Sequence, residues 1–90
     1  MRIRRHRVFL KEMKKVRLAD SQFDKFIYYL SLLREGRLLP IEARDHALIG
    51  EYQDCREFHL GGDMLIIYIA VEEHDEIGLL RIGTHSQLFK

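Results

Sequence analysis

The fold is decided by one stretch of the chain, Asp63-Met-Leu-Ile-Ile-Tyr-Ile-Ala-Val71. Continuous apolar runs rich in β-branched and aromatic residues are typical of strands covered on much of both faces. The pair Gly61-Gly62 just before it is a hairpin signal. We therefore expect a strand over residues 52–60 to pair with a central strand over residues 63–71, side by side and antiparallel.

The sheet is expected to extend on the other side of this central strand. A charged turn, Glu72-Glu-His-Asp-Glu76, separates it from a third strand predicted over Ile77–Ile82. Residues 2–8 are compatible with a further short strand. Residues 37–50 contain the only proline, Pro40, and show no clear periodicity, so we expect an ordered loop there.

Two helices are predicted before the sheet, because apolar residues recur there at steps of three and four. The first set is Phe9, Leu10, Met13 and Val16, and the second is Phe23, Phe26, Ile27, Leu30 and Leu33. Asp20-Ser21 offers an N-cap for the second helix, and Gly36 is a natural stop. The predicted fold class is α+β: two N-terminal helices packed on a small, mainly antiparallel sheet, with a short turn over residues 83–90.

The composition indicates one domain spanning residues 1–90, with 47% hydrophobic residues available for a core. A single cysteine, Cys55, excludes an internal disulfide and a cysteine-based zinc cluster. A small domain without disulfides is typical of a reducing compartment, so we expect a cytoplasmic protein. The charged start contains no apolar signal segment, and the longest apolar run, 64–71, is too short to cross a bilayer.

The charge is distributed very unevenly along the chain. Residues 1–17 carry eight Lys or Arg side chains and one acid, Glu12, whereas residues 18–90 carry seven basic and thirteen acidic side chains. A cationic segment of this density favours contact with a phosphate backbone, an anionic lipid surface or an acidic protein. A solvated basic helix would have the same composition.

Three histidines and one aspartate lie at predicted ends of elements or in the long loop: His46, His59, His85 and Asp63. The hairpin brings residues 59 and 63 close together, whereas spacing alone does not show that His46 and His85 join them. Such a group could cleave RNA without a metal, because one imidazole can accept the 2′-OH proton and another can protonate the leaving oxygen. Arg56 and Arg81 could stabilise the phosphate charge.

Each of these residues also has a structural interpretation. A histidine at a strand end can simply be hydrogen bonded, an aspartate can cap a turn, and an arginine can pair with a nearby acid. Three histidines and an aspartate could also hold zinc, but their spacing matches no compact metal motif, so neither a metal nor another cofactor is expected.

Four segments in order resemble the YafQ-type toxins of the RelE/ParE superfamily: Arg44-Asp-His-Ala-Leu-Ile-Gly50, Arg56-Glu-Phe-His59, Asp63-Met-Leu-Ile-Ile-Tyr68 and Arg81-Ile-Gly-Thr-His-Ser-Gln-Leu-Phe89. The resemblance covers the chain from about residue 8 onward. It implies a ribosome-dependent endoribonuclease, an mRNA interferase, of a type II toxin–antitoxin system. It also implies a RelE-like fold and a cognate antitoxin of the RelB/DinJ kind.

The resemblance implies an active site formed by His46, His59, Asp63 and His85, with Phe89 helping to place the substrate. We expect His85 to act as the acid and His46 or His59, supported by Asp63, to act on the base side. Arg81 and Arg56 are expected to bind substrate, as is Met64, which stands where family members often have Trp. Glu57 stands where family members often have Asp, and it has the same negative charge.

Two other functions stay open from the sequence. ParE-like members of the superfamily inhibit DNA gyrase without cleaving RNA, although they generally lack the histidine cluster. A module without activity that only binds an antitoxin would have the same basic segment, residues 1–17, and the same histidines.

Overall fold

The computed structural model describes residues 1–89 and contains three helices and five strands within them. In chain order the elements are β1 (Arg2–Arg5), α1 (Arg7–Met13), α2 (Asp20–Arg34), β2 (His46–Ala47), β3 (Arg56–Gly61), β4 (Met64–Val71), β5 (Glu76–Thr84) and α3 (His85–Leu88). None of the helices in this part of the chain combines the length and the apolar character that crossing a membrane requires.

The strands form one sheet in the order β1-β5-β4-β3-β2, with β4 at its centre as predicted. Neighbouring strands are antiparallel except β1, which runs parallel to β5. The α+β class, the two N-terminal helices and the mainly antiparallel sheet are thereby confirmed.

The two faces of the sheet are covered differently. The larger core lies between the sheet and the first two helices and includes Phe9, Phe26, Tyr29, Phe58 and Ile66. The opposite face carries a smaller core of Cys55, Leu65, Ile67 and Leu88, with Tyr52 and Phe89 packed against it. Because successive strand residues point to opposite faces, Glu57 and His59 of β3 share this second face.

The segment predicted as a loop over residues 37–50 contains a short strand. Residues His46–Ala47 form β2, which pairs antiparallel with Glu57 and Arg56 of β3. The predicted strand over 52–60 in turn begins only at Arg56. Gly50 and Asp54 have positive φ angles of 72° and 75°, which interrupt extended backbone and place a 3₁₀ turn there.

The outer edge of β5 is completed by a side chain rather than by a strand. Pairing with β1 ends at Leu79, and beyond it the Glu12 carboxylate of α1 accepts a hydrogen bond from Ile82 N at 3.2 Å. Arg81 donates to the same carboxylate through Nε at 2.9 Å and Nη2 at 2.7 Å. The one acid of residues 1–17 thus ties α1 to β5.

We expect Glu12→Ala to lower the free energy of unfolding by about 1.5–3 kcal/mol, because it removes charge-assisted hydrogen bonds that are mostly shielded from water. Urea denaturation measures the change. Glu35→Ala is the matched control, because its ion pair with Arg37 is exposed and 3.8 Å long, and its loss should cost less than about 1 kcal/mol. Equal losses in the two variants would contradict the role given to Glu12.

Candidate active site

The second face of the sheet carries a buried carboxylate between two imidazoles. Glu57 and His59 are alternate residues of β3, and His46 lies opposite Glu57 in the register of β2. Glu57 is only 4% exposed and is the one buried charged residue among those described. Strand alternation and one short pairing therefore bring three polar side chains from two segments together.

His46 is held between two hydrogen-bond acceptors. Its Nδ1 lies 2.7 Å from the carbonyl oxygen of Arg44, and its Nε2 lies 3.0 Å from Oε1 of Glu57. A carbonyl can only accept, so Nδ1 carries a hydrogen. The short contact on the other side implies a second proton between Nε2 and the carboxylate.

His59 faces the other oxygen of the same carboxylate. Its Nε2 lies 3.4 Å from Oε2 of Glu57, and both atoms are buried without a hydrogen-bond partner among the described residues. Burial lowers the pKa of His59; Glu57 opposes this shift, and the charges of Arg44, His46 and His85 add to it. His59 is therefore neutral at pH 7 and able to accept a proton.

His85 begins α3 at the end of the sheet, beside the Asp63 turn. Its backbone N donates to the carbonyl oxygen of Asp63 at 3.3 Å. Its ring lies 4.8 Å from the ring of Phe89, which packs edge-on against Tyr52 at 5.9 Å. His85 is near enough to lower the pKa of His59 through its charge. Within residues 1–89 the Asp63 carboxylate has no hydrogen-bonding side chain beside it.

Of the residues expected to bind substrate, Arg81 and Phe89 both contact Tyr52, whereas Met64 and Arg56 lie elsewhere. Arg81 is held by Glu12 and donates through Nη1 to the Tyr52 hydroxyl at 2.6 Å. Hydrogen bonding to Glu12 raises the pKa of Arg81. Met64 packs against the helix-covered core and lines a cleft of about 410 Å³ with Lys15 and Arg17.

Arg56 is not brought to the histidines. It precedes Glu57 in β3 and so points to the helix-covered face, where it pairs with Asp45 at 3.0 Å. Its guanidinium lies on the other side of the sheet from the candidate site.

The structure adds Glu57 to the candidate residues, in the place where Asp63 was expected to support the imidazoles. The sequence contained a usable signal, because Glu57-Phe-His59 puts an acid and a histidine two residues apart in a strand. The contact between Glu57 and His46 could not be predicted from the sequence, since it requires the pairing of β2 with β3.

The same three side chains could hold a transition-metal ion. The ligand atoms of His46, Glu57 and His59 all lie within 4.8 Å of one another. Two imidazoles and one carboxylate are a common donor set for zinc, with the fourth position left open. The three side chains can thus either transfer protons or bind a metal ion. They cannot do both at once, because a metal would take the atoms that carry the protons.

Comparison with known proteins gives a family match over the whole chain. The family described as a bacterial toxin of a type II toxin–antitoxin system, YafQ, matches residues 1–90. A YafQ-named protein of Haemophilus influenzae is 37% identical over 65 residues, 70% of this chain and slightly under two thirds, 64%, of that protein. The mRNA interferase toxin YafQ of Escherichia coli K12 is 29% identical over 82 residues, which cover 90% of this chain and 87% of that protein.

Solved structures have the same fold. In the E. coli DinJ–YafQ complex, a chain 29% identical to this one matches with a TM-score of 0.81, covering 100% of both chains. A metal-bound toxin from Helicobacter pylori is 28% identical and matches with a TM-score of 0.84, covering 98% of both chains.

We expect the stability of the protein to fall as the pH is lowered from 7.5 to 5.5, and His59 to contribute to that fall. Because the pKa of His59 is lower in the folded chain than in the unfolded one, the unfolded chain binds more protons in this range and is favoured by acid. Urea unfolding of wild type and His59→Gln at both pH values measures this contribution. His74→Gln, at an exposed turn, is the control. A pH dependence that His59→Gln leaves unchanged would contradict the assignment.

Proposed function

Because this chain belongs to the YafQ family of bacterial type II toxins, we propose that it is an endoribonuclease that cleaves messenger RNA on the bacterial ribosome, in the cytoplasm. The name of the E. coli relative, mRNA interferase toxin, supports the activity. The observation that carries the proposal is the buried Glu57 carboxylate with imidazoles on both of its oxygens. Such a group is suited to moving protons at neutral pH.

In the proposed reaction the base side is formed by His59 and Glu57. The neutral imidazole takes the proton from the ribose 2′-OH, and the 2′-oxygen attacks the adjacent phosphorus. Glu57 lies 3.4 Å from His59 and stabilises the positive charge that the imidazole then carries. His46 holds the other carboxylate oxygen at 3.0 Å and so keeps Glu57 in place.

His85 acts as the acid. As the bond from phosphorus to the 5′-oxygen breaks, the imidazolium of His85 gives its proton to that oxygen, leaving a 2′,3′-cyclic phosphate and a 5′-OH end. The hydrogen bond to the Asp63 carbonyl fixes the start of α3, and Phe89 packs on the His85 ring. Phe89 and His85 thereby form one surface on which a base can stack.

Arg81 stabilises the charge on the phosphate. A guanidinium has five N–H groups, and Glu12 and Tyr52 take three of them. Two N–H groups remain for phosphate oxygens, and Glu12 keeps the side chain from swinging away. Met64 would contact RNA only from the cleft that it shares with Lys15 and Arg17. Arg56 is left out of the substrate contacts because it points to the other face.

The partners follow from the family and from the charge. We propose that a DinJ-like cognate antitoxin inhibits the protein, as the E. coli relative is found in a complex with DinJ. The eight basic side chains of residues 1–17 are exposed and, apart from Arg2, which pairs with Glu76, we propose that they contact ribosomal RNA or acidic side chains of the antitoxin.

Production of the chain without an antitoxin is expected to stop growth and to cut translated messages. His59→Gln, Glu57→Gln and His85→Gln should each lower the cleavage rate on ribosomes by roughly 10²–10⁴-fold, because each removes an acid–base group or its support. Primer extension on a translated message measures the cuts, circular dichroism checks the fold, and His74→Gln is the control. Growth arrest that survives all three changes and comes with DNA breaks would instead support gyrase inhibition.

Cleavage should not need a metal, since imidazoles and a carboxylate supply the proton transfers. Activity in the presence of EDTA is therefore expected to equal that of the untreated protein. Added Zn²⁺ should inhibit by occupying His46, Glu57 and His59, and EDTA should restore the rate. A toxin from H. pylori with the same fold is described as metal-bound, which makes a metal ion a suitable probe. Zn²⁺ is chosen because two imidazoles and a carboxylate are a common zinc donor set. Activity that EDTA abolishes and Zn²⁺ restores would overturn the proposed mechanism.

A further inference from the structure

Directly before His46, Asp45 makes a compact set of contacts on the opposite face of the sheet. Its Oδ1 accepts from Nε of Arg56 at 3.0 Å and from the Tyr68 hydroxyl at 2.8 Å, and its Oδ2 lies 2.9 Å from the same hydroxyl. Nη2 of Arg56 also reaches the Asp45 carbonyl oxygen, at 3.4 Å. Tyr68 is almost fully buried, at 2% exposed.

Strand β2 is too short to hold its own position. It consists of two residues and has one partner, β3. Isolated pairings of this size are marginal in water. Arg44, two residues before His46, has a positive φ of 51°, a conformation that needs support from its surroundings. The contacts of Asp45 supply that support, because they join the entry of β2 to both β3 and β4.

We propose that Asp45 is a positioning residue for the reaction: its carboxylate, bound by Arg56 and Tyr68, holds His46 against Glu57 from the far side of the sheet. The inference rests on the proposed function, since it names a residue that acts through His46. It also gives Arg56 a role that does not require contact with RNA.

Burial of Tyr68 strengthens its hydrogen bond to Asp45. Burial and the hydrogen bond to Asp45 raise the pKa of Tyr68, so its hydroxyl stays protonated and donates at any physiological pH. Without the Asp45 carboxylate this hydroxyl would be buried with no acceptor on that side, and β2 would lose its connection to β4. The His46 ring is half exposed and contacts the Arg44 carbonyl, Glu57 and, at 6.1 Å between ring centres, His59. All three contacts require that β2 keeps the backbone of His46 in place.

Tyr68→Phe and Asp45→Asn test the proposal with small changes of shape. We expect kcat on ribosomes to fall about 10- to 100-fold in each variant, with KM nearly unchanged, because a displacement of about 1 Å at a reacting group can have an effect of this size. Tyr28→Phe is the matched control, since that side chain is exposed and should leave kcat unaltered. Urea unfolding gives the folded fraction of each variant, and each measured rate is divided by that fraction.

A spectroscopic measurement separates positioning from general stability. In the wild type, ¹⁵N resonances of the His46 ring should show Nδ1 protonated and a single conformation, as its contact with Arg44 requires. Both variants should show averaging of these resonances while the resonances of His85 stay unchanged. Wild-type kcat and ring signals in folded Tyr68→Phe and Asp45→Asn would overturn the inference. A wild type that cuts no RNA would end the proposed function, and the ring signals would still decide whether Asp45 holds His46.

Discussion

Burial of β4 on both faces is the constraint on which the rest of the structure depends. Leu65, Ile66 and Ile67 of this strand are each 0% exposed, so apolar cover is required on both sides of the sheet. The helices α1 and α2 cover one side. Within residues 1–89, the other side is covered by α3, by Phe89 and by the segment that holds Leu48 and Tyr52. This thinner layer leaves room for a polar site next to a core.

The location of Glu57 follows from that arrangement. A charged carboxylate that is 4% exposed is costly to bury unless its oxygens have partners. Here one oxygen has His46 and the other faces His59. Glu57 and His59 share a space that is largely shielded from water, whereas the His46 ring is half exposed; shielding strengthens the interaction between the carboxylate and the buried imidazole. The site is thus a local departure from apolar packing that the surrounding layer makes possible.

The two arginines expected to bind phosphate illustrate how tertiary contacts assign roles. Arg81 is tied to Glu12, the single acid of the basic segment, and so connects α1 to the second face of the sheet. Arg56 is tied to Asp45 and Tyr68 and connects the entry of β2 to the centre of the sheet. Both are guanidinium–carboxylate pairs, but they lie on opposite faces because Arg56 is paired with Tyr68 and Arg81 with Ile67, two successive residues of β4 that point to opposite sides of the sheet.

By itself, the sequence determined the α+β class, the two helices and the central strand, predicted over 63–71 and found over Met64–Val71, because these depend on periodicities that are local in the chain. It also supplied His46, His59, Asp63 and His85 as candidates, and the four segments that identify the family. It did not place Arg56 on the far face, find β2 within the predicted loop or select Glu57 over Asp63 as the carboxylate beside the imidazoles. Those features depend on pairings between residues 40–47 and 56–68, and only the folded chain decides them, since the free energy of such contacts comes from burial and hydrogen bonds between segments that no local pattern connects.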